Sequence, residues 1–83
     1  MKTIHKLKTI NPFFEDVLNG LKDFEVRKND RNFKVGDRLQ LVEHSIKHPI
    51  MQPRYVFKDI KYILEGGQYG ISNEYVILGL KDV

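Results

Sequence analysis

The stretch Asn11-Pro12-Phe13-Phe14-Glu15-Asp16-Val17-Leu18-Asn19-Gly20-Leu21-Lys22-Asp23-Phe24-Glu25-Val26-Arg27-Lys28 changes periodicity midway, and that change decides the fold class. Phe13, Phe14, Val17, Leu18 and Leu21 recur at the three-and-four spacing of one helical face. Asn11 is a good N-cap residue, and Pro12 suits the first helical position, where a missing N–H costs nothing. Glu15 and Asp16 complement the positive end of the helix dipole, and Gly20 supplies the stop. From Lys22 onward the period falls to two. Phe24 and Val26 are expected to face the core, with Asp23, Glu25 and Arg27 on the opposite side.

Outward from this helix-to-strand junction the chain reads as strands and turns. Ile4 to Lys8 alternates apolar and polar residues, as a short half-buried strand does. Asn29 to Asn32 is a polar turn, and Val35-Gly36-Asp37 bends the chain into a strand carrying Leu39 and Leu41. Ser45 to Pro53, with two prolines, reads as a loop. A long strand is expected from about Arg54 to Leu64, with a bulge where its alternation slips near Lys58-Asp59. Glu65 to Gly70 is a glycine-rich turn. Tyr75 to Leu80 is apolar on both faces and is expected inside the sheet. Five strands and one main helix predict an α+β fold: a small, curled sheet or barrel with the helix packed on an open end.

The chain has 83 residues, which supports one core and hence a single domain over 1–83. Fourteen Lys and Arg stand against eleven Asp and Glu, a formal charge of +3. That surplus is too small for strong non-specific binding to nucleic acid, although it is compatible with a polyanion partner. The absence of cysteine excludes disulfides and thiolate metal sites. No apolar run approaches the roughly 20 residues of a membrane span. Met1-Lys2-Thr3-Ile4-His5-Lys6 is not followed by the apolar run of a signal peptide, so a cytoplasmic protein is expected.

Gly20 to Arg27 also carries the candidate chemistry. Glu25 and Arg27 share a strand face about 7 Å apart, and Lys22 stands at the mouth of the turn. A carboxylate between two cations can accept from an amino group while the cations meet phosphate or carbonyl oxygen. The alternative is an ordinary surface Glu–Arg pair, worth at most about 1 kcal/mol.

The spacing Gly20-x-Lys22-x-x-Glu25-x-Arg27 resembles the signature of ASCH domains, a branch of the PUA-like superfamily. The turn Phe33-Lys34-Val35-Gly36-Asp37 and the loop Gly66-Gly67-Gln68-Tyr69-Gly70 extend the likeness from His5 to Leu80. They are similar to segments of a small ASCH-like family of phages and Gram-positive bacteria. The resemblance implies a PUA-like pseudo-barrel with a cleft at the helix-to-strand junction, where Lys22, Glu25 and Arg27 bind RNA or a nucleotide-like ligand. An enzyme branch of the superfamily, which removes the acetyl group of N4-acetylcytidine, implies the alternative of a small amidohydrolase using Lys22 and Glu25. That branch has a threonine, thought to be its nucleophile, where Glu25 stands here. A carboxylate cannot form the corresponding ordinary ester. Asp23 and Glu25 also favour the ammonium form of Lys22, whereas a base must be neutral. Glu65 and Glu74 are the remaining candidates for a second glutamate.

Other candidates are weaker. His5, His44 and His48 lack a zinc-ligand spacing, and no cofactor motif is present, so neither metal nor cofactor is expected. Gly66, Gly67 and Gly70 could cradle phosphate but read better as a tight turn between strands. Tyr69, at the tip of that turn, is a candidate for stacking on a base. Phe13, Phe14, Phe24, Val26, Tyr62 and Ile77 are expected in the core.

Overall fold

A computed structural model describes residues 2–83. Its elements are β1 (Ile4–Ile10), α1 (Phe13–Leu18), β2 (Phe24–Lys28), β3 (Arg38–His44), β4 (Tyr55–Glu65) and β5 (Tyr75–Asp82). The five strands form one curled sheet in the order β1-β3-β4-β5-β2. The β1–β3 pair is parallel and the other three pairs are antiparallel. The architecture is therefore the expected small α+β fold, a half-barrel with one short helix. Among the described residues, no helix is long and apolar enough to cross a membrane.

The core follows from the strands whose alternation is strongest. Leu39 and Leu41 of β3, Ile60 of β4, and Val76, Leu78 and Leu80 of β5 are buried on the concave face. Helix α1 closes one end through Phe14 and Val17, three residues apart and both fully buried. Phe13 and Leu21, expected on the same face, are exposed. The helix is shorter than its apolar spacing suggests. Asn19 N–H donates to the Glu15 carbonyl, and Gly20, at φ +77°, turns the chain away before Leu21 can follow. Pro12 occupies the cap position itself, while the Asn11 side-chain oxygen accepts from Glu15 N–H.

Three further expectations are corrected. In β1 the inward set is His5, Leu7 and Thr9, so the strand buries two polar residues and exposes Ile4. His5 is accommodated because its Nε2–H donates to Asp37 Oδ2 at 2.8 Å, while its ring meets Phe33 edge-on at 4.8 Å. In β4 the register shift falls between Ile60 and Tyr62, not at Lys58-Asp59. Consecutive Asp59 and Ile60 are both buried, the Asp59 carboxylate accepting from Arg38 and Lys2. The third concerns β2, where the two faces are exchanged. Glu25 points inward at 3% exposure, whereas Phe24 and Val26 are 43% and 52% exposed.

The exchange has a clear cause in the register. Glu25 pairs with Leu78 and Val26 with Ile77. The inward positions of β5 are Val76, Leu78 and Leu80, so its neighbour must turn Glu25 and Arg27 to the same side. Tyr62, paired with Gly79 opposite Phe24, is likewise outside and 62% exposed. Of the six residues expected in the core, Phe14 is fully buried and Ile77 half-buried; Phe13, Phe24, Val26 and Tyr62 are exposed.

Candidate ligand-binding cleft

The strand order leaves β1 and β2 at the two edges of the curled sheet, linked in sequence through α1. Side chains bridge the seam between them: Arg27 Nη2 donates to Thr9 Oγ1 at 2.9 Å, and Arg31 Nη1 to the Lys6 carbonyl at 3.2 Å. At the α1 end the seam opens into a cleft of about 490 Å³. Its lining joins Lys8, Thr9 and Ile10 of β1, Phe13 of α1, Lys22 of the connecting turn, and Phe24 to Arg27 of β2.

Glu25 organises the floor. Its Oε1 accepts from Arg27 Nε at 3.1 Å and Arg27 Nη2 at 2.8 Å, and its Oε2 accepts from Lys22 Nζ. A lone carboxylate at this depth would be costly, and two cations make its burial tolerable. Lys22 Nζ also donates to the Phe24 carbonyl at 2.7 Å. The ammonium lies 4.9 Å from the Phe24 ring centroid and 5.6 Å from that of Phe13, within cation–π range of both. Lys22, Glu25 and Arg27 thus form one bonded cluster, with Thr9 tied to it through Arg27.

This arrangement changes the role read for Glu25. Both of its oxygens are engaged by the neighbouring cations, so it holds donors in place instead of offering a free acceptor. Lys8, Thr9 and Ile10 have no place in the sequence reading of the site, and Phe13, Phe24 and Val26 are expected there as core residues. Spacing alone does not bring in Lys8, Thr9, Ile10 and Phe13, which reach the cleft across a seam that only the strand order reveals, whereas Phe24 and Val26 join it because β2 turns them away from the core.

Tyr69 stands elsewhere. It lies on the β4–β5 connection, 85% exposed with φ +53°, and does not line the cleft. That connection enters β5 at Tyr75, beside Lys28, whereas the cleft lies toward the Phe24–Gly79 end of the same pair. Glu65 and Glu74 flank this connection and are likewise outside the lining. Its backbone closes on itself, with Gly67 N–H donating to the Ile71 carbonyl and Ile71 N–H to that of Gln68. The segment is a loop from Gly66 to Glu74 whose sharpest turn lies at Gln68 to Ile71, longer than the tight turn expected. His44 borders a smaller cleft of about 260 Å³ beside Asn11 and Ile46. Among the described residues, no three His, Asp or Glu side chains are grouped to hold a metal ion.

Residues 4–80 match the family described as a domain of unknown function, DUF3850. The chain belongs to that family. The DUF3850 match runs from the start of β1 almost to the end of β5, so it takes in every element that shapes the cleft. No curated protein matches the chain.

Proposed function

We propose that the cleft between β1 and β2 binds RNA or a nucleotide-like ligand, and that this DUF3850 chain is an ASCH-like module of the PUA-like superfamily. The observation that carries the reading is Glu25, buried and holding Lys22 and Arg27 at the floor of a cleft with aromatic rims. Cationic donors meet phosphate or carbonyl oxygen, and the exposed rings of Phe13 and Phe24 offer a stacking surface. The resemblance of Gly20 to Arg27 to the ASCH signature, together with the curled five-stranded sheet, supports the same reading. Hydrolysis has no comparable support, because Glu25 stands where the enzyme branch has its hydroxyl and its carboxylate is taken up by two cations.

Titration of the purified chain with short single-stranded RNAs and mononucleotides tests the proposal. Binding is expected, and Arg27→Ala should weaken it by about tenfold or more, the worth of one charged hydrogen bond. For two to four phosphate contacts, the slope of log affinity against log salt should be about −1.4 to −2.8. If none of these ligands binds the wild-type chain at millimolar concentration, the proposal fails.

A further inference from the structure

The hydrogen-bond inventory of the cleft floor is one-sided. Glu25 accepts three N–H bonds, and the Thr9 hydroxyl oxygen accepts a fourth from Arg27. Arg27 spends Nε and Nη2 on these contacts and, among the described residues, makes no protein hydrogen bond through Nη1. Among the described residues, no buried side-chain nitrogen or oxygen lacks a partner, so Nη1 reaches solvent. Lys22 donates two N–H groups to protein acceptors and retains a third. What the floor offers a ligand is therefore a pair of cationic donors, while the only carboxylate in the lining is already engaged.

Charge points the same way. Lys8, Lys22 and Arg27 line the cleft against the single acid Glu25, leaving it positive although Asp and Glu are plentiful elsewhere. Above the floor the lining is apolar, with Ile10, Phe13, Phe24 and Val26. The volume, about 490 Å³, is that of a site for one small ligand. An anionic acceptor at the floor and a planar apolar body against the rim would satisfy both parts at once.

We propose that Lys22 and Arg27 form a phosphate subsite held open by Glu25, and that the occupant is a single nucleoside monophosphate unit with its base against Phe13 and Phe24. This rests on the nucleotide reading of the same cleft and narrows it. The unit comes either from a free mononucleotide or from the phosphorylated end of a strand. Glu25 is a positioning residue here, acting on the ligand through the two cations it fixes.

Calorimetric titration with UMP, AMP, uridine, adenosine and inorganic phosphate separates the possibilities. Each monophosphate is expected to bind at least about tenfold more tightly than its nucleoside, the effect of one charged hydrogen bond. Arg27→Ala should lower that ratio, with Lys22 left as the second donor, and should cost monophosphates more affinity than nucleosides; Arg27→Lys, which keeps the charge but loses the planar fork, should lower it less. Comparison of 5′-phosphorylated with 5′-hydroxyl oligouridine identifies the source. A preference for the phosphorylated strand over UMP assigns the site to strand ends, and the reverse assigns it to free nucleotides. Equal affinity for nucleosides and monophosphates in the wild-type chain would overturn the subsite while leaving nucleotide binding intact. Inorganic phosphate bound as tightly as UMP would overturn it too, since no base would then be read. An Arg27→Ala variant that loses nucleoside and nucleotide affinity equally would show a structural role only. If nucleosides, nucleotides and RNA all fail to bind, the parent reading falls with it.

Discussion

Removing the Glu25 carboxylate should cost more stability than removing the neighbouring aromatic ring of Phe24. In Glu25→Ala, Lys22 and Arg27 lose their shared counter-ion, with side chains only 16% and 22% exposed. Breaking a fully buried ion pair costs about 3–5 kcal/mol. The open cleft lets water reach both cations, so a loss of about 2–3 kcal/mol is the appropriate discount of that figure. In a domain of this size that lowers Tm by about 10–20 °C. Phe24, 43% exposed on the outer side of β2, should cost only about 1 kcal/mol when truncated, well below the value for a buried phenylalanine. Urea unfolding followed by circular dichroism measures both variants on one scale, with an unchanged slope confirming the two-state comparison. A larger loss for Phe24→Ala than for Glu25→Ala would mean that β2 presents its other face to the interior, and the bonded cluster described for the cleft would be wrong.

Acid should weaken the ion pairs of Asp59 and Glu43. Arg38 and Lys2 lower the Asp59 carboxyl from its ordinary 3.8 to about 2, mainly through the Arg38 hydrogen bond, and Arg54 lowers Glu43 from 4.5 to about 2. Both shifts stabilise the fold above the ordinary values, and that contribution disappears as pH falls through about 2. Asp59→Asn should flatten the decline in Tm between those limits, and an unchanged acid profile would contradict the assignment. Gly66→Ala should destabilise by about 1–3 kcal/mol, the usual range for overpacking, because its new methyl would fall on the carbonyl oxygens of Ser72 and Tyr75; a thermal melt matching wild type would refute that close approach. Incubation with N4-acetylcytidine should release no acetate, and turnover that disappears in Lys22→Ala would refute this expectation.

The fold was legible in the sequence where one side of an element was strongly apolar. Tyr75 to Leu80 reads as an interior strand and lies between β4 and β2. Leu39 and Leu41 mark β3 just as directly, since both are fully buried. The reading failed where apolar and charged residues alternate evenly. Phe24-Glu25-Val26-Arg27 has the correct period, but period alone does not say which face is inside. Hydrophobicity favours Phe24 and Val26; the register with Leu78 decides for Glu25 and Arg27. In β1, similarly, His5 and Thr9 go inward with Leu7 because Asp37 and Arg27 supply their partners. Those partners are remote in sequence, so local pattern carries no trace of them.

The same point explains why Lys22, Glu25 and Arg27 are legible in the sequence as a cluster although the cleft around them is not. Lys22, Glu25 and Arg27 are close in sequence, and a turn followed by a strand brings them together whichever face is buried. Thr9 joins them because β1 and β2, consecutive in the chain, occupy opposite edges of the sheet. The connection through α1 is short, so curling the sheet must return these two edges toward each other. With purely apolar inward residues, the approaching edges would have every reason to close and bury more surface. Here the inward residues of β2 are a carboxylate and a cation, so the link across the seam is the Arg27–Thr9 hydrogen bond, and the cations keep their access to water. Burying Glu25 on the inner face is thus a local departure from hydrophobic patterning with a structural return: it fixes Lys22 and Arg27 at the floor of an open seam, where their remaining N–H groups can face a ligand.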